Sequence, residues 1–88
     1  MRVVIRFSLN KDHGSALRNT LKAILEQRNI IWTGKTTGTY EGYADEADVR
    51  LALTAFWKAV ELSQNGVVDH FWMYTDRKPA PSLDDLDL

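Results

Sequence analysis

The chain has 88 residues, a formal net charge of −1, 44% hydrophobic residues and no cysteine. This length allows one small domain, the charge disfavours a strongly basic nucleic-acid binder, and the lack of cysteine excludes disulfides and thiolate metal sites. A domain of this size buries only about 60–65% of its unfolded surface, so a partner would stabilise it.

The N-terminal apolar run contains Arg6 and no small-residue cleavage pattern, so we expect no secretory signal. No apolar run reaches the length of a membrane span, about 18 residues. We therefore expect a cytoplasmic protein with no membrane partner and no cofactor.

The first part of the chain predicts a strand followed by a helix. Residues 2–8 alternate between apolar and mostly polar side chains, which is typical of a half-buried strand. Apolar residues recur at helical spacing over 16–28. Asp12 or Ser15 can accept the free amides at the start of that helix.

The middle of the chain predicts a hairpin and a second helix. Residues 30–33 and 39–43 are short strands, joined by a glycine-containing loop of about five residues. Asp45 is a favourable N-cap for the helix that follows. Asn65-Gly66 is expected to end that helix in left-handed geometry.

The last strand, predicted over 67–77, is aromatic on both faces. Phe71 and Met73 alternate with His70, Trp72 and Tyr74. A strand needs one apolar face for the core, whereas its other face can be wetted. The second aromatic face therefore predicts an interaction surface.

Residues 78–88 contain both prolines of the chain and several acidic residues. We expect a tail that is disordered or bound by a partner, and a single folded domain over 1–77.

The order strand, helix, strand, strand, helix, strand predicts an α+β, ferredoxin-like fold. In that fold a four-stranded antiparallel sheet carries both helices on one face, and the first strand lies between the third and the last. Arg6 would then lie between Glu41 on one side and the row of His70, Trp72 and Tyr74 on the other. Trp32 joins this row only if the register of its short strand allows. The candidate interaction residues are Arg6, Glu41, His70, Trp72, Tyr74 and Trp32.

Three interpretations of this open face follow. Exposed apolar residues can form the centre of a dimer, aromatics with an arginine can stack the bases of single-stranded nucleic acid, or the tail can cover the face. We prefer the dimer, because the chain is not basic and lacks the aromatic-Gly-aromatic motif of RNA recognition modules. A regulatory module that holds a small ligand between subunits is a further alternative.

The sequence offers little for catalysis. Ser8, at the end of the first strand, is a candidate nucleophile without a paired base. Asp69 and His70 are adjacent on a strand and therefore point to opposite faces, and no metal-ligand spacing is present. Asp69 falls in the core-facing register, so we expect it at the strand edge, bonded to the Asn65-Gly66 turn.

The chain resembles the small ferredoxin-like ribonucleases that include VapD-type toxins and the CRISPR-adaptation small subunits. The resemblance lies in VVIRFSL as first strand, TTGTYEGYADEADVRLAL as strand and capped helix, and VVDHFWMYTDR as last strand. It implies a homodimer and, if the chain were an enzyme, a metal-dependent ribonuclease-like hydrolase. Those families use an aspartate at the end of the first strand, and the matching residue here is Ser8. We therefore keep the homodimer as an expectation and favour a protein without enzymatic activity.

Overall fold

A computed structural model describes residues 1–12, 15–34, 38–63 and 66–77. Within these ranges the elements are β1 (Arg2–Asn10), α1 (Ala16–Glu26), β2 (Ile30–Trp32), β3 (Thr39–Tyr43), α2 (Glu46–Leu62) and β4 (Val67–Asp76). The strands form one antiparallel sheet in the order β2-β3-β1-β4. The predicted ferredoxin-like α+β fold is confirmed, with β2 and β4 as the edge strands.

The element boundaries differ from the prediction by only a few residues. α1 ends at Glu26, two residues early, and β2 ends at Trp32, one residue early. The predicted tail over 78–88 lies outside the described residues, as do His13 and much of the loop between β2 and β3. The prediction that Asn65-Gly66 ends the second helix in left-handed geometry is wrong, because α2 ends at Leu62 and the next residue, Ser63, is extended. Among the described residues, no helix is both long and apolar enough to cross a membrane.

The side chain of an aspartate caps the start of each helix. The side chain of Asp12 accepts the amides of Leu17 and Arg18 at 2.9 and 3.0 Å, whereas Ser15 makes no capping bond through its side chain. Asp45 accepts the amide of Asp48 at 2.8 Å. Of the two candidate caps for α1, Asp12 is therefore the one used, and the cap of α2 is confirmed.

The core lies between the helices and one face of the sheet. Phe7 of β1 stacks on Tyr40 with ring centroids 5.4 Å apart and meets Phe56 of α2 edge-on at 5.1 Å. Val3 and Ile5 are fully buried beside them. Because side chains alternate along a strand, the even-numbered residues of β1 face away from the helices. The core residues, all fully or almost fully buried, are Val3, Ile5, Phe7, Leu17, Leu21, Leu25, Ile30, Tyr40, Val49, Ala52 and Phe56.

Candidate interaction surface

The pairing of β1 with β4 assembles most of the predicted row on the open face of the sheet. Arg6 lies opposite Trp72, and Ser8 lies opposite His70. Tyr74 lies opposite a half-buried valine two residues before Arg6. Trp72 and Tyr74 expose 49% and 43% of their surfaces. We call Arg6, His70, Trp72 and Tyr74 the aromatic surface.

The rings of the aromatic surface are already ordered against each other. Trp72 and Tyr74 stack with their centroids 6.2 Å apart and their planes 9° from parallel. The guanidinium carbon of Arg6 lies 5.4 Å from the centroid of the Trp72 ring, a contact worth about 0.5–1 kcal/mol at an exposed site. Arg6 makes no ion pair with any described residue. A partner would therefore meet two preformed, stacked rings beside a guanidinium that no described residue neutralises.

The predicted position of Arg6 beside Trp72 is confirmed, but the prediction that Glu41 lies on its other side is wrong. Arg6 lies opposite Thr39 on β3. The carboxylate of Glu41 accepts a hydrogen bond from Nε of Arg2 at 2.7 Å, and Asp76 lies 3.7 Å from the same guanidinium. The hydrogen bond from Arg2 to Glu41 and, second to it, the negative charge of Glu41 raise the pKa of the Arg2 guanidinium. The register differs by two residues from the expected one, so Glu41 neutralises the other arginine of β1.

Trp32 does not belong to the aromatic surface. It lies opposite Tyr40, a core residue, and therefore faces the helices, where the ammonium of Lys22 lies 5.2 Å from its ring centroid. Its neighbour Ile31 lies opposite Glu41 on the open face and is 49% exposed. A shift of one residue exchanges the two faces of a strand, and a three-residue strand carries too little pattern to fix the register. The sequence interpretation therefore missed Ile31.

A β-bulge removes the conflict predicted at Asp69. Ser8 lies opposite His70, but the next residue of β1 pairs two positions back along β4, so Asp69 is the extra residue. Its side chain is exposed rather than turned into the core. The predicted bond to the turn is not seen at Gly66, whose amide instead donates to Oγ of Ser63 at 3.0 Å.

The chemistry available on the open face favours binding. Arg6, Ser8, His70 and Trp72 line an open cavity of about 400 Å³. Although Ser8 and His70 are cross-strand neighbours, their side chains share no hydrogen bond, so the nucleophile and base are not coupled. No group of three or more His, Cys, Asp or Glu that could hold a metal is found within the described ranges. The surface offers stacking area, a guanidinium and an imidazole.

The second half of β4 is open on its other face as well. α2 covers β4 at Phe71, whose ring meets those of Phe56 and Trp57 at 5.4 and 4.9 Å. Beyond that point Met73, in the core-facing register, is 38% exposed, and Thr75 is exposed too. Since β4 is an edge strand, this segment is accessible from both faces and along its free edge. Sequence alternation alone placed Met73 in the core.

The resemblance to small ferredoxin-like ribonucleases is a separate matter from the fold. A shared superfold does not by itself transmit function. No family model, no curated protein and no solved structure matches the chain. The suspected family therefore stays a prediction, and the function has to be inferred from the chain's own surface.

Proposed function

We propose that this chain is an interaction domain that self-associates as a two-fold dimer through the aromatic surface. The observation that carries the proposal is the exposure of Trp72 and Tyr74, stacked side by side on the sheet. Large apolar side chains grouped on the surface of a small domain commonly mark an interface, and tryptophan and tyrosine are enriched among residues that dominate binding energy.

A second copy is the partner that needs fewest assumptions. Two-fold dimers are the commonest oligomers, and their interface uses the same patch on both subunits. The low net charge of −1 imposes little repulsion between identical chains. The homodimer expected from the family resemblance agrees with this choice, and the cytoplasmic location and non-enzymatic role stay predictions from the sequence.

The size of the surface indicates how strong such a dimer can be. An aromatic side chain buries about 150–250 Å² when fully covered, so covering the exposed halves of four rings removes about 400 Å² from water. At about 25 cal/mol per Å² this contributes about 10 kcal/mol. Association costs about 4–15 kcal/mol in lost freedom, so the rings alone give a weak dimer and further contacts must add to them.

Replacing both rings by aspartate tests the proposal. We expect Trp72→Asp combined with Tyr74→Asp to give a folded monomer, because both side chains lie outside the core and aspartate would place like charges face to face. Light scattering after size exclusion measures the mass, and circular dichroism reports folding. The matched control is Ile31→Asp, on the same open face but at the opposite edge, which should remain dimeric. A double variant that keeps the mass of two subunits would refute the proposal.

Single-stranded nucleic acid is the second candidate partner, favoured by one observation. Arg6 lies over Trp72 without a carboxylate partner among the described residues, beside a cavity that also contains His70. Stacked rings with a free cation can bind bases and phosphates.

An RNA-binding measurement tests this second candidate. It predicts that a short single-stranded RNA binds with an affinity that falls as salt rises and is lost in Arg6→Ala. The matched control is Arg50→Ala, which removes an exposed arginine from α2 and should leave binding unchanged. Absent or salt-independent binding removes nucleic acid from consideration.

A further inference from the structure

We infer that, in the dimer, β4 pairs antiparallel with β4 of a second copy, with Met73 of each chain opposite Met73 of the other. The inference rests on the proposed self-association and specifies its geometry. It would join the two four-stranded sheets into one sheet of eight strands.

The two edges of the sheet are protected very differently. Free edges invite pairing with another strand, and proteins commonly shield them by short strands, bulges, charges or proline. β2 is only three residues long, whereas β4 has ten. The bulge at the exposed Asp69 interrupts the beginning of β4, but residues 71–75 contain no charge, proline or glycine. This unshielded segment is the part of the sheet most ready to pair.

The exposure of β4 on both faces points to an edge contact. Trp72 and Tyr74 are exposed on the open face, while Met73 and Thr75 are exposed on the helix face. A partner lying flat on the open face would leave Met73 uncovered. A strand added at the edge contacts side chains on both faces and also uses the unpaired backbone groups.

Charge placement selects a second copy as that strand. Asp69 and Arg77 each lie four residues from Met73, are exposed, and make no ion pair with any described residue. Antiparallel pairing centred on Met73 brings Asp69 of each copy beside Arg77 of the other, which gives two ion pairs.

The same register pairs the aromatic residues across the interface. It places Trp72 of each copy opposite Tyr74 of the other, and such aromatic cross-strand pairs stabilise antiparallel strands. The four rings would then form one cluster, two from each strand, on the open face. A register moved by two residues would lose both ion pairs and would keep a single ring pair, Trp72 opposite Trp72 or Tyr74 opposite Tyr74.

Cysteine cross-linking tests the register, because the chain has no native cysteine. Residues directly opposite in antiparallel strands have Cα atoms about 4.5–5.5 Å apart, which a disulfide can span. We expect Met73→Cys to form a cross-linked dimer rapidly under mild oxidation. Val67→Cys is the matched control: it is also exposed on β4 but lies six residues from the centre, so its two copies would be too far apart to join.

Exchanging the charges provides an independent readout on the same dimer. Asp69→Lys and Arg77→Glu should each weaken dimerisation about tenfold, since each places like charges together twice. The combined variant restores opposite charges and should return to within about twofold of the unmodified chain. This rescue would not follow if the two residues acted separately.

The outcomes distinguish the two proposals. A dimeric chain in which Met73→Cys cross-links no faster than Val67→Cys, or in which the charge exchange gives no rescue, overturns this geometry and leaves self-association standing. A chain that is monomeric at every concentration overturns both proposals. The candidates for pairing with the edge of β4 would then be the chain's own tail or a strand of another protein.

Discussion

Arg2 and Arg6 lie on the same face of β1, four residues apart, yet they have different surroundings. Arg2 joins three strands by contacting Glu41 of β3 and Asp76 of β4. Arg6 lies between Thr39 of β3 and the Trp72 ring of β4, and it contacts no carboxylate among the described residues. The alternation along β1 predicted that both would face away from the helices. It could not predict which one meets the acid, because that depends on the register of β3, set by residues distant in sequence.

Gly38 shows a constraint of the same long-range kind. Its carbonyl accepts the amide of Phe7 at 3.0 Å, its φ is +85°, and a Cβ placed on it would collide with the carbonyl oxygen of Phe7. Gly34 also has a positive φ, of +76°, but a Cβ there would meet nothing within 4 Å. The two glycines therefore share the backbone constraint and differ in the collision.

Replacing each of these glycines by alanine separates the two effects. Gly34→Ala should lower the free energy of unfolding by about 1 kcal/mol, the cost of a left-handed non-glycine residue. Gly38→Ala should lose about 1–3 kcal/mol more, because the collision adds an overpacking cost. Urea denaturation measures both, and equal losses would contradict the close approach of Gly38 to β1.

At the scale of elements, features set by residues close in sequence could be predicted, whereas features set by the pairing of strands could not. Asp45 was predicted as the cap of α2 because capping involves residues three positions apart. The faces of Ile31 and Trp32 could not be assigned, since a three-residue strand fits either register. The bulge at Asp69 likewise arises from how β4 meets β1. Alternation along the strands therefore predicted most residues of the aromatic surface, but it did not predict where that surface ends.

The cap of α2 yields a prediction at this scale. Asp45→Ala should lower the free energy of unfolding by about 1 kcal/mol, because the amide of Asp48 loses its acceptor. Asp45→Asn is the control, since asparagine caps about as well as aspartate and should cost much less. Thermal or urea unfolding followed by circular dichroism makes the comparison. A similar loss in both variants would indicate that the charge of Asp45, rather than its capping bond, stabilises α2.

For the whole molecule, the fold places both helices on one side of the sheet and leaves the other side of all four strands open. Phe7 and its buried neighbours fill the core between the helices and the sheet. Trp72 and Tyr74 lie on the other face and do not contribute to this core. Their exposure, together with that of Met73 on the reverse face, concentrates accessible apolar surface on one edge strand. A second copy paired at that edge would contact all three side chains at once.

The mass of the unmodified chain in solution tests self-association most directly. Sedimentation equilibrium over a range of micromolar concentrations should approach twice the subunit mass of 10.1 kDa, and Trp72→Asp combined with Tyr74→Asp should return it to a single subunit. A species of 10.1 kDa at every concentration would contradict the proposal.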